Sequence, residues 1–174
     1  MRGKPMNSRI LPLSTAVLAT LIAAGIVAPA LAQSPATVDA ADRAAIFKAA
    51  GAVQRGDKWI ICSEDPQAAG ASIDEVRDLN GDGRPEAITS EGGSFCYGFT
   101  GTGFQLLSQQ ADGSWKRITS DIGIPEPLKT KGKDGWPDLS IGGPGFCFPV
   151  QRWNGTEYAL NRFEYEGKAC KPPR

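Results

Sequence analysis

The strongest constraint on how this chain folds is a segment that occurs twice. Asp82-Gly83-Arg84-Pro85-Glu86 returns 52 residues later as Asp134-Gly135-Trp136-Pro137-Asp138. In both copies an apolar run, a Gly-Gly pair, a Phe-Cys pair and an Asp-Gly or Asn-Gly dipeptide follow in the same order. Those dipeptides tolerate the positive φ of tight hairpin turns. The sequence therefore predicts a mainly β domain with two antiparallel units, at about residues 74–120 and 126–165.

Each copy predicts the same order of strands. The acidic segment leads into a strand at residues 87–89 or 139–141, and we expect Phe95-Cys96 and Phe146-Cys147 to lie on the next strand. In the second copy, alternating side chains at residues 148–152 and 158–160 indicate half-buried strands. Each copy is therefore expected to form a small antiparallel sheet.

One short helix is expected before the repeat. Asp39, followed three residues later by Asp42, is typical of a helix N-terminus, and Gly51 or Gly56 provides the stop. Residues 58–62 predict a short strand, and residues 63–73 predict a loop. The helical spacing defines an apolar stripe of Ala45, Ile46, Ala49, Ala50 and Val53.

The first 32 residues have the layout of a secretory signal peptide. A basic start is followed by an apolar run over residues 10–30, and Ala30-Leu31-Ala32 is a signal-peptidase site with cleavage expected before Gln33. The alternative is an uncleaved membrane anchor. After cleavage we expect a flexible leader at residues 33–38 and a single periplasmic or secreted domain at residues 39–174, without membrane insertion.

Charge and composition exclude several classes of protein. Residues 1–32 hold three basic and no acidic residues, so the remaining 142 residues carry 16 Lys and Arg against 19 Asp and Glu, a net charge of −3. This balance provides no footprint for nucleic acid. The chain contains no histidine, which excludes Ser-His-Asp and Cys-His catalysis and His-ligated metals.

Four cysteines predict two disulfides. Cys62, Cys96, Cys147 and Cys170 are an even number in an exported chain and include no Cys-x-x-Cys pair. Three pairings are possible, and the spacing does not choose among them.

The acidic loop at residues 78–86 carries oxygen ligands at alternate positions. Asp78, Asn80 and Asp82 stand at relative positions 1, 3 and 5, and Glu86 stands at position 9. Calcium takes six to eight oxygen ligands, so such a loop can wrap one ion, with the carbonyl of Arg84 facing inward. An EF-hand is excluded because its position 12 is a bidentate Glu, where this chain has Thr89, and because residues 87–89 predict a strand and not a helix.

The loop motif, with its Pro-Glu ending and following apolar strand, resembles the FG-GAP or VCBS repeats of integrin-type propellers and secreted bacterial proteins. The resemblance implies propeller-blade-like units and one structural calcium ion. The chain as a whole resembles small exported bacterial proteins of unknown role. The alternative is a solvated turn that binds no metal. The ligand set implied by the resemblance is Asp78, Asn80, Asp82, Arg84 through its carbonyl, and Glu86.

The second loop has lost most of these ligands. Thr130 replaces Asp78 and Gly132 replaces Asn80, while Lys131 and Lys133 add positive charge where a cation would lie. We therefore expect this loop to be a metal-free turn. Two units cannot close a propeller, so the chain is expected to be either a compact two-unit assembly or part of an oligomer. We favour a compact monomer, because the helix and disulfides can cap its open edges.

Three functions remain open. We expect a non-enzymatic, calcium-stabilised module that binds a protein or a glycan, and Trp136 is the aromatic residue expected to be exposed beside the second loop. The alternatives are a periplasmic inhibitor of a hydrolase, or a hydrolase with an unrecognised acidic site, for which Glu164 and Glu166 on one strand face are the candidates.

Overall fold

The N-terminal helix α1, Ala40–Ala50, begins and ends at the predicted signals. The computed structural model describes residues 38–172, so the predicted signal peptide, its cleavage site and the leader before Val38 lie outside the described residues. The carboxylate of Asp39 accepts a hydrogen bond from the backbone N–H of Asp42 at 2.8 Å. Gly51 ends the helix with φ at 89°. The predicted helix is confirmed.

Val53 does not belong to the helical stripe, which corrects the sequence prediction. Because Gly51 adopts a left-handed conformation, the chain leaves the helix before Val53 and enters a strand, where this side chain is exposed. The helix instead buries Ile46, Phe47 and Ala50.

The rest of the described chain is dominated by antiparallel strands. The first hairpin pairs β1 with β2, the first sheet has the order β3-β4-β5-β6, and the second sheet has the order β11-β10-β9-β8-β7. The strands are β1 Val53–Arg55, β2 Lys58–Ile60, β3 Ser72–Arg77, β4 Glu86–Gly92, β5 Thr102–Gln109, β6 Trp115–Ile122, β7 Ile124–Lys131, β8 Pro137–Gly142, β9 Phe148–Trp153, β10 Tyr158–Tyr165 and β11 Lys168–Ala169.

The two sheets share one topology. Each contains a meander of four strands in sequence order, and the second adds β11 at its edge. The acidic loop joins β3 to β4, and the second loop joins β7 to β8 at the equivalent place. A mainly β, antiparallel architecture is therefore confirmed. The finer expectation of propeller-blade-like units stays a prediction, because the sheets do not close.

The two Phe-Cys pairs lie outside the strands, contrary to the prediction. Phe95 and Cys96 belong to a short helix α2, Ser94–Tyr97, and the second pair lies in the connection before β9. Cys147 has φ at 66°, which a strand cannot accommodate. In the first copy, the ring of Tyr97 fills the space where a Cβ of Gly103 would lie, so the chain folds back on β5.

Two hydrophobic cores place the elements in three layers. The first core lies between the sheets, where Ile88, Phe104 and Leu106 of the first sheet meet Leu139 and Ile141 of the second. The second core packs α1 on the opposite face of the first sheet through Ile46, Ala50, Ala87 and Leu107. The first sheet is therefore buried on both faces, which explains the continuous burial of β4 and β5.

Two disulfides are present, as predicted, and each joins one cysteine to the next cysteine along the chain. Cys62 pairs with Cys96, and Cys147 pairs with Cys170. No cysteine is left free among the described residues. The first bridge ties α2 to the segment after β2, and the second ties the β8–β9 connection to the C-terminal segment. Disulfides of this kind are compatible with a secreted or periplasmic protein.

Candidate functional site

Side chains of the acidic loop organise its own backbone. The carboxylate of Asp78 accepts hydrogen bonds from the N–H groups of Gly81 at 2.7 Å and Gly83 at 2.9 Å. The side chains of Asn80 and Asp82 each accept from the backbone N–H two residues further along the chain, at 2.8 and 2.9 Å. These Asx-type hydrogen bonds fix the turn of the loop backbone and the positions of the Asp78, Asn80 and Asp82 side-chain oxygens.

Arg84 fixes the outer side of the loop. Its guanidinium pairs with the carboxylate of Asp82, and its Nε donates to the carbonyl of Gln109 at 3.0 Å. The side chain therefore fastens the loop to the end of β5 and offsets part of its negative charge.

Glu86 is the buried acid of the site. It is 1% exposed, and its carboxylate accepts from the N–H of Leu79 and the hydroxyl of Ser108, both at 2.8 Å. Burial raises the pKa of Glu86 above its ordinary value, although the hydrogen bonds from Leu79 and Ser108 oppose this shift. A carboxylate in this position gains from a nearby cation.

The loop brings three of the predicted ligands close together. The amide nitrogen of Asn80 lies 3.4 Å from an oxygen of Asp82 and 3.4 Å from an oxygen of Glu86. Asp78 remains on the glycine N–H groups, and the three carboxylates do not all lie within 4.8 Å of one another. Carboxylate and amide oxygens are the ligands that calcium takes, and the loop would hold the ion by drawing Asp78 inward and by turning the amide oxygen of Asn80 toward Asp82 and Glu86.

Among the described residues, one trio of Cys and acidic side chains meets that distance. It consists of Cys62, Glu64 and Cys96. Because both cysteines are oxidised in one disulfide, they present no thiolate for a metal.

The second loop neutralises its buried acid with arginines. Asp138, at the position equivalent to Glu86, is fully buried. The Nε and Nη2 atoms of Arg152 both donate to its carboxylate at 2.8 Å. Arg162 and the hydroxyl of Thr130 each donate at 2.6 Å. Burial opposes ionisation, but these bonds outweigh it and hold the pKa of Asp138 well below its usual range.

Strand register shows what differs between the two units. In the first sheet Glu86 pairs with Ser108. In the second sheet Leu139 pairs with Gln151, and the next step along the ladder places Arg152 opposite Asp138. A serine in the first unit therefore stands where the second unit has an arginine. Sequence reasoning missed this difference, although the pairing of the predicted strands could have revealed it.

The two loops pack directly against each other. The ammonium group of Lys131 donates to the carbonyl of Leu79 at 2.8 Å, so this lysine faces the first loop and not its own. A Cβ on Gly135 would clash with the carbonyl of Asn80, and its φ of 76° also requires glycine. The close contact turns the next residue, Trp136, into the core.

Trp136 is buried, which corrects the expectation that it is exposed. It is 7% exposed, and the centroid of its ring lies 5.6 Å from that of Trp153 and 6.2 Å from that of Tyr158.

Glu164 and Glu166, the candidate acids of the hydrolase hypothesis, do not share the face of one strand. Glu164 pairs with Arg162, whereas Glu166 lies beyond β10 with φ at 49°.

Exposed aromatic side chains lie on the two connections that carry the disulfides. Phe95 and Phe99 are 64% and 93% exposed, and Phe146 is 59% exposed. The two connections are neighbours, because a Cβ on Gly143 would lie 3.6 Å from the side chain of Thr100. We call this surface, formed by Phe95, Phe99 and Phe146, the aromatic end.

Comparisons of this chain with protein-family models, with curated proteins and with solved structures found no match. The resemblance to FG-GAP or VCBS repeats therefore rests on the residues of the acidic loop. Within residues 38–172, neither helix is long and apolar enough to cross a membrane.

Proposed function

We propose that this chain is an exported, non-enzymatic module that binds a partner protein through the aromatic end, and that calcium in the acidic loop stabilises it. The observation that carries the proposal is the exposure of Phe95, Phe99 and Phe146 on two adjacent connections, each fastened by a disulfide. Large rigid aromatic side chains are the usual anchors of protein interfaces. Phenylalanine lacks the polar group with which tyrosine or tryptophan bonds sugar hydroxyls, which favours a protein over a glycan.

The calcium part of the proposal rests on the contrast between the two buried acids. Asp138 has two arginines, whereas the equivalent Glu86 meets neutral donors and the acidic loop. The first unit has the acidic loop and lacks the arginines. The second unit has the arginines and lacks most of the acidic loop side chains. A divalent cation in the first loop would do for Glu86 what Arg152 and Arg162 do for Asp138.

Calcium is expected to raise the melting temperature of residues 33–174, and Asp82→Ala is expected to abolish the increase. An ion at 100 times its Kd stabilises by about 2.7 kcal/mol, which corresponds to a shift of roughly 8 °C for a domain of this size. Thermal melts with calcium and with chelator measure it. If the wild-type protein melts at the same temperature with calcium and with chelator, the site does not bind calcium.

Glu86→Gln provides a sharper control because its effect should change sign. In chelator the substitution removes a buried charge that has no cationic partner. This gain is expected to equal or exceed the loss of one acceptor oxygen to the N–H of Leu79 or the hydroxyl of Ser108. In calcium it removes a ligand and lowers the melting temperature relative to wild type. Asp138→Asn, which lies beside arginines, should destabilise equally in both buffers.

Removal of the aromatic end is expected to abolish partner binding. Residues 33–174 immobilised on resin capture the partner, which is then identified, purified and titrated calorimetrically. Replacing both Phe95 and Phe99 with alanine should weaken Kd by about 1000-fold, because two interface anchors at about 2 kcal/mol each contribute about 4 kcal/mol together. Leu160→Ala, at another exposed apolar residue, is the matched control. Equal affinity of both variants would contradict the proposal, and a glycan array signal that follows the same variants would make the partner a glycan.

A specific observation also favours the inhibitor hypothesis. Phe99 follows a helix fastened at its base by the Cys62–Cys96 bridge and is 93% exposed. A braced segment with an apolar tip can enter the cleft of an enzyme at low entropic cost. If the captured partner is a hydrolase, its inhibition by wild type and not by Phe99→Ala would establish this function.

A further inference from the structure

A cleft of about 320 Å³ lies where β7 meets the acidic loop. Three cationic residues line it, Arg77, Lys129 and Lys131, and none of the described residues that line it is acidic. The remaining lining is apolar and consists of Leu79, Pro127, Leu128 and Pro137. None of the residues that line the cleft belongs to the aromatic end, so the cleft is not part of the proposed interface.

A bulge in β7 creates this cleft. Pro127 pairs with Leu139 and Lys131 pairs with Pro137, so three residues of β7 stand opposite the single residue Asp138. Bulges of this kind redirect side chains and are common beside binding sites. Here the extra residues include Leu128 and Lys129, which line the cleft. Because β7 is the edge strand of its sheet, the bulge is open to solvent on one side.

The opposite wall belongs to the first unit. Arg77 ends β3, and its side chain is 54% exposed and pairs with Glu75. Lys131 donates one of its three N–H bonds to the carbonyl of Leu79, which leaves two for a ligand. Three cationic residues therefore line one small cleft, although residues 33–174 carry a net charge of −3. A concave site with apolar walls and one sign of charge concentrates ligands of the opposite sign.

We propose that this cleft binds a small organic anion with an apolar body. Arg77, Lys129 and Lys131 contact the charged head group, and Leu79, Pro127 and Leu128 contact the apolar part. The volume lies at the lower end of the range for small-molecule sites, which starts at about 300 Å³. The bulge supplies specificity, since a regular β7 would not carry Lys129 into the cleft.

Hexanoate is a suitable probe, because it joins a carboxylate to a short alkyl chain. Residues 33–174 labelled with ¹⁵N are titrated with hexanoate, with acetate and with 1-hexanol, all in chelator so that the result does not depend on calcium. We expect saturable shifts at the amides of Leu128 and Lys129. Acetate and 1-hexanol should bind about tenfold more weakly, because each lacks one half of the interaction.

Lys129→Gln tests the assignment, since the side chain is exposed and its replacement leaves the core intact. The variant should weaken hexanoate binding about tenfold, the equivalent of one charge-assisted hydrogen bond. Lys116→Gln, at an exposed lysine of β6 outside the cleft, should leave binding unchanged. Non-saturable shifts, equal binding of hexanoate and 1-hexanol, or equal losses in the two variants would overturn the proposal.

Discussion

Replacing Asp138 with alanine is expected to lower the free energy of unfolding by about 3 kcal/mol. The carboxylate is fully buried and accepts hydrogen bonds from Arg152, Arg162 and Thr130. Its removal leaves two guanidinium groups close together without their shared counter-charge. Their side chains are 40% and 24% exposed, so water relieves part of the penalty and the estimate stays at the lower end for buried pairs.

Urea unfolding of residues 33–174, followed by tryptophan fluorescence, measures this loss. Thr130→Ala removes a single hydrogen bond to the same carboxylate and should cost about 1 kcal/mol. The ratio between the losses of unfolding free energy in the two variants separates the effect of the charge from that of a single hydrogen bond. An Asp138→Ala protein that unfolds at the wild-type urea concentration would show that the arginine network adds no stability.

The penalty should also depend on pH in a defined direction. Because the folded pKa of Asp138 is lowered, its contribution is fully present above the unfolded value of about 3.9 and is lost as pH falls through the folded pKa. The difference between wild type and Asp138→Ala should therefore shrink below about pH 4. Glu86 has the opposite sign, since a raised folded pKa means that its ionisation costs stability as pH rises.

The opposite pH dependences of Asp138 and Glu86 arise because the two units stabilise a buried carboxylate in different ways. Both units begin their second strand with a buried acid, and both place a loop immediately before it. The second unit neutralises the acid internally with arginines from β9 and β10. The first unit leaves the acid with neutral donors beside the acidic loop. Under the proposed calcium binding, its stability would therefore depend on an external cation.

The sequence predicted those features that depend on local chemistry. Asp39 and Gly51 mark the helix ends because capping and left-handed φ are properties of single residues. The repeat predicted the paired loops because Asp-Gly dipeptides and apolar runs act over a few residues. The two disulfides followed from the cysteine count, but their pairing depends on the tertiary fold.

The failed predictions concern contacts between distant segments. Trp136 was expected at the surface because acids surround it in sequence, yet the contact between Gly135 and Asn80, more than fifty residues apart, turns it inward. The Phe-Cys pairs are predicted on strands because each follows a Gly-Gly turn in the repeat. The structure instead places the first pair in α2 and gives Cys147 of the second pair a φ of 66°. The arginines around Asp138 come from two other strands, so no local pattern marks them.

The second large effect is expected at Glu91, near the end of β4. Glu91→Ala should lower the free energy of unfolding by about 4 kcal/mol. This carboxylate is 2% exposed and accepts from the N–H groups of Ile61 and Cys62, at 3.1 and 2.6 Å, and from the hydroxyl of Tyr97 at 2.9 Å. Alanine leaves these three donors buried without an acceptor. Burial, together with Glu91, raises the pKa of Tyr97, so this hydroxyl remains a donor at neutral pH.

The same substitution should loosen the aromatic end, because Glu91 joins the backbone at Cys62 to the helix that carries Cys96. In Glu91→Ala the Cys62–Cys96 bridge should be reduced faster by dithiothreitol. The Cys147–Cys170 bridge, in the second unit, provides an internal control at the wild-type rate. Tyr97→Phe removes one donor and should cost about 1 kcal/mol. Equal acceleration at both bridges would mean that Glu91 supports the whole fold and has no particular role in fastening Phe95 and Phe99.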